Sequence, residues 1–171
     1  MGASGWDYRV PFVQSVEESL VALQEDVRSR NDYIWPWDDL SRAISISEYL
    51  EELEEDEILP RPTSLADLAA AKGVEEFWEE GTHSILDVER VTRADGPDEF
   101  AAIRPLTANE LAQVFGTERP TAADFDPIQA PGPSGPLEDL MGPRWSGRSL
   151  VIYGDDRESP VEVYFWGYSG D

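Results

Sequence analysis

The chain has 171 residues, one domain's worth, enough to bury roughly 70% of its unfolded surface around a single core. Apolar residues make up 40%, with six each of Trp, Tyr and Phe, so the chain folds despite 36 acidic residues against 13 basic ones and a net charge of −23. That charge argues against nonspecific binding to nucleic acid or anionic membrane, and the lack of cysteine excludes disulfides, thiolate nucleophiles and zinc-thiolate or iron–sulfur sites.

In chain order, Trp6 to Val13 is rich in aromatic and β-branched residues and reads as a short strand that Pro11 keeps at an edge or ends. Ser15 and Glu18 form an S-x-x-E capping box, and Val16, Leu20, Leu23 and Val27 follow at helical spacing, which predicts a helix over about 16–29. Residues 31–62 read as a Trp-rich acidic insertion: Trp35-Pro36-Trp37 cannot be helix interior, and Glu48 to Glu57 holds seven acids in ten positions. Ile46, Tyr49, Leu50 and Leu53 still mark a helical stripe within it.

Ser64 and Asp67 cap a second helix expected to run to about Trp78, with Gly73 as its weak point and Gly81 as its stop. Ser84 to Val91 and Phe100 to Arg104 read as strands across the turn at Ala94 to Asp98, compatible with a hairpin. Thr107 and Glu110 form another capping box before a short helix ending at Gly116. Residues 120–143 hold six of the thirteen prolines and read as a Pro/Gly-rich flexible loop. Ser149 to Tyr153 and Val161 to Trp166 flank a turn-rich segment and predict a C-terminal β-hairpin. The expected fold is a single α+β domain over 1–171, a mostly antiparallel sheet with helices packed on one face.

The run Gly81 to Val88, with Leu-x-x-Val-Phe-Gly-Thr at Leu111 to Thr117 and the ending Phe165 to Ser169, resembles a family of small acidic actinobacterial proteins. No activity comes with that family, so the resemblance implies a compact intracellular domain and supplies no catalytic residue.

His83 is the sole histidine, so any mechanism with a histidine base depends on it. Adjacent strand residues point to opposite faces, which prevents a simple pair with Ser84, and Asp87 would lie roughly 13 Å away on a strand. A lone histidine at a helix-to-strand junction, where the sequence places His83, more often caps or hydrogen-bonds. On a helix Glu48, Glu51, Glu52 and Glu55 make one charged stripe, with Glu54 beside it, which is either a solvated face or a surface for a cation. No calcium-loop spacing is present, no metal or cofactor is implied, and the nucleotide-binding, serine-hydrolase and zinc-protease motifs are missing. Trp35 and Trp37, followed by Asp38 and Asp39, combine rings with an acidic edge and belong either to an interface or to the core.

Three functions follow as expectations. The first is a non-catalytic, acidic, cytoplasmic binding protein, an immunity-protein or antitoxin-like inhibitor of a basic toxin or nuclease, contacting its partner through Trp35, Trp37, Asp38, Asp39, Glu48, Glu51, Glu52, Glu54 and Glu55. The second is a small enzyme or ligand-binding protein whose site gathers His83 and Asp87 with Tyr164, Trp166 and Tyr168, which alternate on one face of the last strand. The third is a housekeeping domain whose acidity serves only solubility.

Overall fold

In the last strand Val163 and Phe165 face one way and Tyr164 and Trp166 the other, so the strand is apolar on both sides and needs cover on both. The computed structural model, which describes residues 4–38, 58–129 and 135–170, supplies that cover. Strand β1 (Gly5–Pro11) leads into α1 (Val16–Arg30), then α2 (Leu65–Ala71) and α3 (Phe77–Glu80). A 3-10 turn at Ile85–Asp87, β2 (Arg90–Val91) and β3 (Ala102–Pro105) follow. Next come α4 (Ala108–Phe115), α5 (Ala122–Gln129) and the hairpin strands β4 (Ser146–Tyr153) and β5 (Pro160–Tyr168). The sheet order is β1-β5-β4-β3-β2.

The α+β class and the C-terminal hairpin hold, and the sheet is mixed: the two long ladders, β1 with β5 and β5 with β4, are antiparallel, whereas β2–β3 and β3–β4 are parallel. The expectation of helices on one face needs correction. Leu20, Leu23 and Val27 of α1, Leu68 of α2 and Phe77 of α3 pack with Trp6, Ile103, Val163 and Phe165 on one face. Phe125 of α5 and the half-buried Leu111, Val114 and Phe115 of α4 pack with Leu150, Ile152, Tyr164 and Trp166 on the other.

Local chemistry explains the borders. Ser15 Oγ accepts the Glu18 N–H at 3.1 Å, and α1 ends where Asn31 turns left-handed (φ 54°), a conformation asparagine tolerates. Both halves of the Thr107–Glu110 capping box are formed. In the sheet, Gly147 faces Gly167, and a Cβ at Gly167 would fall 2.4 Å from the Trp6 ring, so this pair makes the slot in which the indole lies.

Three segments depart from expectation. The helix predicted up to Trp78 breaks after Ala71, where Gly73 stands, and restarts as α3. The strand expected from Ser84 is a 3-10 turn, because Ser84 Oγ accepts the Leu86 N–H at 3.2 Å and Asp87 folds back on Thr82; only Arg90 and Val91 are strand, and they join β3 in parallel rather than as a hairpin. Within 120–143, Thr121 and Asp124 cap α5: the Thr121 N–H donates to Asp124 Oδ2 at 2.8 Å, and Pro127 is accommodated within this short helix. Residues 130–134 of that loop lie outside the described residues.

Candidate functional site

Asp87 is buried at the centre of a polar network. The Thr82 N–H and Oγ1–H reach its Oδ1 at 2.6 and 2.8 Å, Ser169 Oγ donates to Oδ2 at 2.5 Å, and Thr82 Oγ1 lies 2.8 Å from Ser84 Oγ. Burial pushes the Asp87 carboxyl up, opposed by the donors from Ser169 and Thr82 and by the positive charge of Lys72. Lys72, the only lysine, is itself buried; desolvation holds its ammonium down to about 8, and its Nζ donates to the Val88 carbonyl at 2.7 Å. Gln24 Nε2 donates to the Val88 and Ile85 carbonyls at 2.8 and 3.2 Å. Helices α1 and α2 and the end of β5 are thereby tied to the turn at 82–88. Both oxygens of Asp87 are occupied by these donors, which is the chemistry of a clamp rather than of a base.

His83 sits beside this network without joining it. Its backbone is left-handed (φ 54°), and Nδ1 lies 3.0 Å from Ser4 Oγ. Among the described residues no carboxylate orients its other ring nitrogen, the element a serine–histidine pair needs to act as nucleophile and base. The structure does not bring His83 and Asp87 together with the aromatic face of β5. Tyr164 and Trp166 lie in the opposite core, stacked at 5.2 Å, with Tyr164 Oη donating to Asp7 at 3.2 Å and Trp166 Nε1 to the Leu137 carbonyl at 3.2 Å. Burial pushes the Tyr164 hydroxyl up. Tyr168, half-buried, ends the same strand between Gly5 and Ser146. The sheet itself separates these rings from the Asp87 network.

Trp35 and Trp37 are 2% and 4% exposed, so their rings belong to the core and not to an interface. The turn around Pro36, closed by the Asp38 N–H to the Trp35 carbonyl at 3.0 Å, brings both rings inward, 5.2 Å apart and both against Phe77. Trp35 Nε1 donates to the Leu59 carbonyl at 2.8 Å. Asp38 forms an ion pair with Arg61, whose guanidinium lies 4.8 Å over the Tyr33 ring. Asp39, Glu48, Glu51, Glu52, Glu54 and Glu55 lie outside the described residues.

The ring chain continues outward. Phe77 meets Trp78 at 4.9 Å, and Trp78 meets Phe100 and Trp145 edge-on at 4.7 and 5.2 Å. Phe100 is 54% exposed, and both tryptophans are half-buried. These positions share no periodicity. Phe100 and Trp145 each stand close before a strand, and a chain of backbone bonds links Glu89, Ala101, Trp145 and Tyr168 across that end of the sheet. Ala101 (φ 52°) and Trp145 (φ 61°) hold left-handed backbone there, a conformation that costs bulky residues about 1–3 kcal/mol and persists only where the surroundings enforce it. Trp145 lies against Gly81 and Gly170, where a Cβ would come within 2.5 and 1.7 Å of its ring.

Among the described residues, three surface concavities can be placed. One of 630 Å³ borders Arg90, Arg93 and Asp95; two of 390 Å³ border Pro60, Pro62 and Val74, and Gln24, Leu68 and Lys72. His83 lines none of the three. Among the described residues there is no group of three or more acidic or histidine side chains that could hold a metal ion, and no helix long and apolar enough to cross a membrane.

The charges divide unevenly. Arg9, Arg28, Arg30, Arg61, Arg90, Arg93, Arg104, Arg148 and Arg157 each hold a carboxylate of this same chain. Glu75, Glu76, Glu79 and Glu80, by contrast, are exposed and pair with no cation among the described residues. The chain is thus an α+β protein with a five-stranded mixed sheet and an outward-facing acidic surface. It matches no protein-family model, no curated protein and no solved structure.

Proposed function

We propose that this protein is a non-catalytic binding protein whose partner is a basic protein, with a toxin or nuclease bearing an electropositive cleft as the partner class its chemistry fits. The observation that carries this reading is the division of charge. In a chain of net charge −23, the described arginines are largely engaged with its own carboxylates, whereas Glu75, Glu76, Glu79 and Glu80 are exposed with no cation among the described residues. Such a field accelerates encounter with a cationic surface and does so less as salt rises. The occupied oxygens of Asp87 and the pairing of His83 with Ser4, the histidine's one hydrogen-bond partner among the described residues, support a reading without catalysis.

The test is copurification from the native host at low salt, with an unrelated acidic protein of equal net charge as control. A basic protein retained by this chain and not by the control, and released as salt rises, supports the proposal. Recovery of the same proteins by both would mean that the acidity serves solubility and has no dedicated partner.

A further inference from the structure

We propose that the half-exposed ring cluster of Trp78, Phe100 and Trp145 is where an arginine side chain of that basic partner docks; the inference rests on the function proposed above and assigns it a surface. Phe100 is 54% exposed beside two half-buried indoles, so the cluster presents aromatic faces to the outside at one end of the sheet. A contiguous aromatic surface of this kind is a mark of interaction sites, and tryptophan is the residue most enriched at their energetic centres.

The two indoles of the cluster are anchored before anything binds. Trp78 Nε1 donates to the Lys72 carbonyl at 2.8 Å, and Trp145 is seated against Gly81 and Gly170. Little freedom of these two side chains therefore remains to be lost on association.

Charge selects the occupant. Glu79 and Glu80 share the helical turn of Trp78, and Glu75 and Glu76 precede it, all exposed and without a cation among the described residues. A positive group over the rings gains the attraction of the aromatic face and relieves repulsion among these carboxylates. Arginine fits better than lysine, because its planar, weakly hydrated guanidinium stacks on a ring while donating to carboxylates. The chain uses that combination elsewhere: Arg61 lies over Tyr33 at 4.8 Å while paired with Asp38, and Arg9 lies 5.3 Å over Phe125 while paired with Asp126 and Glu162. The Trp78 cluster offers the same two ingredients, rings and carboxylates, on the outside of the molecule. Arg144, next to Trp145, reaches the Gly170 carbonyl at 3.5 Å.

The experiment titrates the full chain at about 0.15 M salt with a blocked nine-residue peptide carrying three arginines among glycines and serines, following the six indole N–H signals by NMR. The Trp78 and Trp145 signals should move while those of the buried Trp6, Trp35, Trp37 and Trp166 stay, which also reports an intact fold. Phe100→Ala and Phe100→Leu should each weaken binding at least about fivefold, and the lysine version of the peptide should bind at least about threefold more weakly. Full retention by Phe100→Leu would overturn the guanidinium–ring contact. Equal weakening by Glu17→Gln with Glu18→Gln on α1, with no effect at Phe100, would show a diffuse field and overturn the site. If no indole moves yet copurification recovers a basic partner, the surface is wrong and the function stands; if neither experiment shows binding, both fall.

Discussion

Two aromatic clusters meet at the Phe77–Trp78 contact and have opposite fates. Tyr33, Trp35, Trp37 and Phe77 are buried on the α1 side of the sheet, whereas Trp78, Phe100 and Trp145 stand half-open at its end. Their composition is alike, and the difference lies in what surrounds them. The inner rings are closed over by α1, α2 and the turn at Pro36, with the Trp35 indole N–H satisfied by a backbone carbonyl. Of the outer rings, Trp78 stands on α3, and Phe100 and Trp145 stand at strand borders where Ala101 and Trp145 hold left-handed backbone. Aromatic richness beside acidic residues therefore does not distinguish an interface from a core; enclosure does.

The contrast is broken most severely from inside. Trp35→Ala removes a ring touching Trp37, Phe77 and Tyr33 and should cost about 3–5 kcal/mol, seen as a lower denaturation midpoint with an unchanged slope. A cost under about 1 kcal/mol would place that ring at the surface.

The polar clamp beneath the clusters comes next. Asp87→Ala strands the Thr82 N–H and the Ser169 hydroxyl and should cost about 2–3 kcal/mol by denaturant unfolding. Its titration has a definite sign. Burial raises the Asp87 carboxyl, so its protonated form favours the fold: that contribution is complete below the ordinary carboxylate range and is lost as pH rises past the raised value. Asp87→Asn cannot titrate, so its stability should fall less than the parent's over that rise. Parallel pH profiles would mean that the carboxyl is not raised.

Glu110 provides the opposite sign on the other face of the sheet. Arg104 holds its carboxyl down to about 2, assisted by the Thr107 cap, so its contribution is present above the ordinary value and is lost as pH falls from about 4.5 towards 2. Glu110→Gln should cost about 1–2 kcal/mol at pH 7, allowing for partial solvent screening, and the gap to the parent should close across that acid window. The smallest effect belongs to the outer cluster. Phe100→Ala should change folding stability by less than about 1 kcal/mol while affecting binding. A core-sized loss would show that Phe100 is a structural ring.

Capping residues made much of the fold readable in advance. Ser15, Ser64 and Thr107 mark helix starts because their side chains satisfy orphan N–H groups two or three residues on, a local interaction needing no tertiary partner. The same signal stands at Ser84-x-x-Asp87 and Thr121-x-x-Asp124, where the apolar run Ile85, Leu86 and Val88 and the density of proline favour a strand and a loop on sequence grounds, against the turn and the helix that form. The candidate site was less legible. His83 is the only histidine, yet nothing local shows that Asp87 turns back to Thr82 and Ser169 while His83 meets Ser4. The outer ring cluster left no periodic trace, since its three members come from a helix and two strand borders far apart in the chain.

By itself the sequence determined the charge, the lack of thiol chemistry, the capped helices and the terminal hairpin, all properties of composition or of neighbours within a few positions. Only the tertiary structure decided that the last strand is covered on both faces, that β2 and β3 run parallel, that Trp35 and Trp37 point inward and that Trp78, Phe100 and Trp145 converge at the surface. Residue type sets what a side chain gains from burial or contact, whereas long-range packing sets which side chains are enclosed and which are left facing water.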